Sequence, residues 1–147
     1  MRCRGAVVLN HEGHKGHEGH EGLGAHVERV CKAIVDSGLK VHRALGPGLL
    51  ESAYEHCLAY ELSSRGLSLA RQVPLPIVYE AMRLEAAYRM DIVVGDAVVV
   101  EIKAVEALTR LHEAQVLTYL KLSGKRVGFL MNFNVELFKD GLRRLRF

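Results

Sequence analysis

Asp91, Glu101 and Lys103 lie in one short stretch, RMDIVVGDAVVVEIKA at positions 89–104, and are the residues best placed to do chemistry. The residues around them are apolar, and charged side chains are depleted in strands. A carboxylate buried there without a partner costs several kcal/mol. Two carboxylates and an ammonium in such a setting form either a buried ion network without a metal or a site. Asp with Glu-x-Lys carries the groups needed to hold a hard divalent cation beside a phosphate.

Those residues can converge only if the chain folds back between them. Gly95-Asp96 is a turn signal between two apolar runs, so the stretch predicts a β-hairpin. Alternation puts Glu101 and Lys103 on one face of their strand and Ile102 on the other. A two-residue turn pairs Asp91 with Val100 and sends the two carboxylates to opposite faces. A three-residue loop, Gly95 to Ala97, pairs Val94 with Val98 and Asp91 with Glu101, about 5 Å apart at Cα. A β-bulge has a similar effect. The sequence leaves these open, and a shared cation excludes the simple two-residue turn.

The elements around the hairpin follow from periodicity. Val27, Val30, Cys31, Ile34, Val41 and Leu45 keep helical spacing and predict a first helix over residues 26–45. Gly38 falls on that apolar stripe, as a close approach by a neighbour or as a weak point. Gly46-Pro47-Gly48 turns the chain, and a second helix is expected from Leu49 to Arg65. Residues 67–80, with Pro74 and Pro76, read as an edge strand bent or interrupted by proline. The hairpin strands are expected over 83–94 and 97–104. A third helix follows from Thr109, its expected cap, to Ser123, with Gly124 as its stop. VGFLMN at 127–132 predicts a buried strand, and residues 135–147 a loop and a short closing strand. The order is ααβββαβ, or close to it. This is a single α/β domain over residues 26–147, with a mixed β-sheet flanked by helices.

Residues 1–25 stand apart. NHEGHKGHEGHEG at positions 10–22 repeats His, a charged residue and Gly. Glycine at every third position opposes a helix and nothing in the repeat builds a core, so a disordered tail is expected. His-rich tracts bind Zn²⁺ or Ni²⁺, yet a flexible tract has no fixed coordination geometry and is not expected to be the catalytic site.

Composition narrows the setting. No apolar run nears the ~20 residues that cross a bilayer, so no membrane role is expected. MRCRGAVVLN has too short an apolar core for a signal peptide. Cys3, Cys31 and Cys57 are odd in number and far apart, which points to a reducing cytoplasm rather than a disulfide framework. The net charge of +3 says little. The clusters Lys121, Lys125, Arg126 and Lys139, Arg143, Arg144, Arg146 say more: a basic rim that meets phosphates, or a solvated surface.

Three local patterns coincide. Gly48-Leu-Leu-Glu51-Ser-Ala-Tyr54 heads the second helix, Asp91 with Glu101-Ile102-Lys103 forms the hairpin set, and Gln115-Val-Leu-Thr-Tyr119 lies on the third helix. With HRALGPGLLESAYE, RQVPLPIVYE and HEAQVLTYLKLSGKRVGFLMNFN around them, residues 27–140 resemble the bacterial GxxExxY protein family, a branch of the PD-(D/E)xK nuclease-like superfamily. The usual proline before the Asp is replaced by Met90.

The resemblance implies a restriction-endonuclease-like core and a nuclease that hydrolyses phosphodiester bonds in DNA or RNA with Mg²⁺ or Mn²⁺. It implies Asp91, Glu101 and the backbone carbonyl of Ile102 as metal ligands, with Glu51 completing the shell or supporting a second metal. Lys103 would hold the attacking water or the scissile phosphate, and Gln115 would contact the surroundings of the metal or the nucleic-acid backbone. Tyr54, one helical turn from Glu51, is expected as a hydrogen-bond donor behind the ligands. Tyr119 shares a helix face with Gln115, and His112, one turn earlier, is placed to reach the phosphate or act as an auxiliary base. The alternative is a non-catalytic module on the same fold that binds nucleic acid or protein. The domain has no recognition element of its own, so a homodimer or a partner is expected to supply one.

Overall fold

The computed structural model describes residues 17–147. Its elements are α1 (His17–Leu45), α2 (Glu51–Ser64), β1 (Leu69–Tyr79), β2 (Met82–Val94), β3 (Val98–Lys103), α3 (Arg110–Ser123), β4 (Val127–Asn132) and β5 (Leu142–Arg146), with a 3-10 turn at Phe138–Gly141 before β5. The strands form one sheet in the order β1-β2-β3-β4-β5. All neighbours are antiparallel except β3 and β4. A parallel pair needs a crossover, and α3 supplies it. The result is a mixed sheet flanked by helices in the expected ααβββαβ order, closed by β5.

Alternation splits the core in two. Ile92, Val94, Val98, Val100 and Ile102 pack with Val30, Ile34, Tyr54, Leu58 and Leu62 of α1 and α2. Val93, Val99 and Leu130 pack on the other face against Val116, Tyr119 and Leu120 of α3. A Cβ at Gly38 would stand 2.5 Å from Phe138 Cζ, so this glycine admits the 3-10 turn against α1. The helix ends follow the expected chemistry. Thr109 caps α3 through the backbone N–H of His112, and Gly124 closes it in the left-handed conformation.

α1 starts at His17, nine residues before the start that its apolar spacing predicts. Extending a formed helix costs far less than starting one, so the 26–45 segment carries the helix backward through glycines that could not nucleate it. The rest of the expected tail, residues 1–16, lies outside the described residues. β1 is the expected edge strand, and its register shifts between Leu75 and Ile77, at Pro76. Beyond that point β1 and β2 form an arm, and every residue of β2 from Met82 to Arg89 is exposed. No helix among the described residues is long and apolar enough to cross a membrane.

Candidate active site

The hairpin register decides whether the carboxylates can meet. Gly95 and Asp96 both have positive φ, and the Ala97 N–H donates to the Val94 carbonyl. Ala97 is then passed over, and pairing runs Val94 with Val98, Val93 with Val99 and Ile92 with Val100. The loop is the three-residue one. Carried one step further, the same register sets Asp91 across from Glu101. In place of a ladder bond there, the Ile102 N–H donates to Asp91 Oδ2 at 2.8 Å.

Burial and charge shape the pair. Glu101 is 5% exposed. Its Oε1 lies 3.4 Å from Lys103 Nζ, while its Oε2 is buried without a hydrogen-bond partner among the described residues. Burial foremost, then the charge of Asp91, pushes the Glu101 carboxyl up to about 8; Lys103 opposes this in part. Asp91 is also raised, chiefly by burial, with the Ile102 N–H opposing and Glu55, then Glu51, adding to the rise. Near neutral pH the Glu101 carboxyl therefore keeps its proton. An orphaned oxygen on Glu101 beside Asp91 is the donor set a hard divalent cation takes. Among the described residues no three Asp, Glu, His or Cys side chains form a ready-made cage. Mg²⁺ does not need one, since it keeps several waters and accepts one or two carboxylates.

The remaining candidates divide. Glu51 is exposed in the first turn of α2, and its charge is the smallest of the influences felt by Asp91 and Glu101. Gln115 donates through Nε2 to the Tyr119 hydroxyl at 2.8 Å. Tyr119 is 3% exposed, and burial, then the Glu101 charge, pushes its phenol up to about 12. These two residues back the carboxylates from α3.

Tyr54 and His112 are engaged elsewhere. The Tyr54 hydroxyl donates to the Gly46 carbonyl at 2.6 Å and accepts from the Leu49 N–H at 3.1 Å, and its ring stacks on Phe133 at 4.6 Å. It straps the Gly-Pro-Gly turn to the core rather than donating to the ligands. His112 accepts the Thr109 N–H on Nδ1 at 3.0 Å, so that nitrogen serves the helix cap. Four of the seven residues of the basic rim are paired: Arg144 and Arg146 with Glu28, Lys125 with Asp96 and Arg143 with Glu113.

The structure adds residues that the motifs do not mark. Glu55, one turn beyond Glu51, is 7% exposed and accepts from Arg71 at 3.1 Å and from Gln72 Nε2 at 2.7 Å. Gln72 stands opposite Asp91, reaches its Oδ1 at 3.4 Å, and holds a positive φ of 49° that a non-glycine rarely adopts. The i, i+4 spacing of Glu51 and Glu55 was a usable signal for Glu55. Nothing local marks Gln72. Asn132, 1% exposed, donates to the Val105 carbonyl and accepts its N–H, fastening the loop after β3 to the end of β4.

A family model described as the PD-(D/E)XK nuclease superfamily matches residues 28–145. No curated protein and no solved structure matches the chain.

Proposed function

The chain belongs to the PD-(D/E)XK nuclease superfamily, and from that membership we propose that it hydrolyses phosphodiester bonds in DNA or RNA with Mg²⁺ or Mn²⁺ as cofactor. The observation that carries this reading is the buried, unpartnered Oε2 of Glu101 in register with Asp91. Asp91 and Glu101 would hold the cation. The Ile102 carbonyl joins them, because strand geometry turns it to the same edge as the N–H that Asp91 accepts. Glu51 would complete the shell of that cation or support a second one. A divalent cation in this position neutralises the phosphate and lowers the pKa of a water.

The chain's own groups do the rest. Lys103, 16% exposed in its side chain, is anchored on Glu101 and presents its ammonium to the attacking water or the scissile phosphate. Gln115 and Tyr119 keep the floor of the site rigid and dry. A homodimer or partner supplies substrate recognition, and the protein acts in the cytoplasm.

The test is a panel of end-labelled single-stranded, duplex and hairpin DNA and RNA, incubated with Mg²⁺, Mn²⁺ or EDTA beside Lys103→Ala. Cutting that needs metal and is lost in the variant supports the reading. Tight binding with no cutting by the wild type overturns it in favour of a binding module.

A further inference from the structure

A cavity of about 450 Å³ opens between α3 and the β1–β2 arm, and it shares Gln115 and Tyr119 with the candidate site. We propose that it receives an unpaired nucleobase of the substrate strand, beside the phosphate that Asp91 and Glu101 address. This rests on the nucleic-acid reading above and adds to it the substrate class: single strands, or unpaired nucleotides within a duplex.

The chemistry of the walls selects the occupant. Ile77, Tyr88 and Leu111 give apolar faces, with Tyr88 45% and Leu111 78% exposed. His112, Thr118 and Gln115 give polar edges. Gln115 commits its amide nitrogen to Tyr119 and keeps its oxygen as an acceptor. Among the described residues no Lys, Arg, Asp or Glu lines the cavity, so it suits neither a free phosphate nor a cation. A flat, uncharged group with apolar faces and hydrogen-bonding edges fits it, and a base stacking on an aromatic ring is such a group. The volume falls in the range of small-ligand clefts, roughly 300–1,000 Å³. A base stacked inside a duplex cannot enter.

Position ties this cavity to the chemistry. Tyr119 forms part of its wall, lies 6.0 Å from the Tyr88 ring, and feels the charges of Glu101 and Asp91. A strand whose base sits against Tyr88 thus passes the carboxylate pair.

The experiment is fluorescence anisotropy with the full chain in EDTA. The probes are a labelled single-stranded DNA 12-mer, the same sequence in RNA, its duplex, and a 12-mer with a run of abasic sites. The intact single strand is expected to bind about tenfold tighter than the abasic strand and the duplex. Tyr88→Ala and Leu111→Glu should each remove most of that preference, and Tyr88→Phe should keep it. The exposed Leu111 makes Leu111→Glu a readout independent of folding, checked by circular dichroism. The DNA and RNA arms tell which sugar is preferred. Equal binding of abasic and intact strands, or wild-type preference in both Tyr88→Ala and Leu111→Glu, overturns the pocket. Base preference without cutting by the wild type leaves the pocket standing and removes only the nuclease reading.

Discussion

The Ile102 N–H donates to Asp91 Oδ2 at 2.8 Å, with Asp91 one residue and Ile102 two residues past the last ladder pair, Ile92 with Val100. A side chain there does the work of a strand bond, and so fixes where Asp91 can stand relative to Glu101. Asp91→Asn should keep the size but weaken the acceptor and remove one candidate ligand. We expect metal-dependent cutting to fall at least a hundredfold, with the EDTA-state melting midpoint within a few degrees of wild type. Initial rates and thermal melts of the variant check both halves.

Glu101 gives a pH dependence whose sign is fixed. Its folded-state pKa, about 8, lies above the ordinary carboxylate value of 4.5. The folded protein therefore binds the proton more tightly than the unfolded chain. That contribution is fully present below about pH 4.5 and is lost as pH rises through about 8. In EDTA, the stability of wild type relative to Glu101→Gln should fall across this window. Divalent metal should flatten the difference, since a bound cation favours the ionised form. Urea melts at several pH values measure it.

Lys103 offsets part of the charge of the pair. Lys103→Ala should abolish cutting, lower the midpoint in EDTA, and respond to Mg²⁺ or Mn²⁺ by regaining part of the loss. Raising the pH from 7 to 9 in EDTA should enlarge the deficit, because folded Glu101 of the wild type gives up its proton near 8 while Lys103→Ala, without the ammonium, holds it to higher pH and goes on losing stability. Melts of the variant at both pH values check this.

Gly38 tests the packing of α1 on the 3-10 turn. Phe138 is 4% exposed and its ring is held against Phe133 and His42, so it cannot swing away. Gly38→Ala should destabilise by about 1–3 kcal/mol through overpacking. Denaturant unfolding gives the value directly.

The legible parts were those set by local pattern. The Gly95-Asp96 turn, the alternation of β3 and the caps at Thr109 and Gly124 each depend on residues a few positions apart. The choice between two- and three-residue hairpin loops was not legible, because Ala97 carries no turn preference that decides its pairing. Glu55 was hidden for a different reason. Its burial depends on Arg71 and Gln72, which come from an edge strand distant in sequence. Tyr54 looked like part of the site because it shares a helix face with Glu51, yet its hydroxyl turns back to the Gly46 carbonyl. The backward reach of α1 was obscured by glycines whose cost the rest of the helix absorbs.

The account stands most directly on whether Asp91 and Glu101 take a divalent cation together. Thermal melts of wild type and Glu101→Gln, each in EDTA and in millimolar Mn²⁺, measure it. A cation that binds the folded state alone raises its stability by mass action, about 2.7 kcal/mol at a hundredfold excess over Kd. The account predicts a rise of several degrees in the wild type and little or none in Glu101→Gln; in EDTA at pH 7 the wild-type midpoint should lie below that of Glu101→Gln, because the unfolded chain has already given up the proton that folded Glu101 keeps. Equal metal responses in the two proteins would contradict it and leave the cluster as a structural ion network.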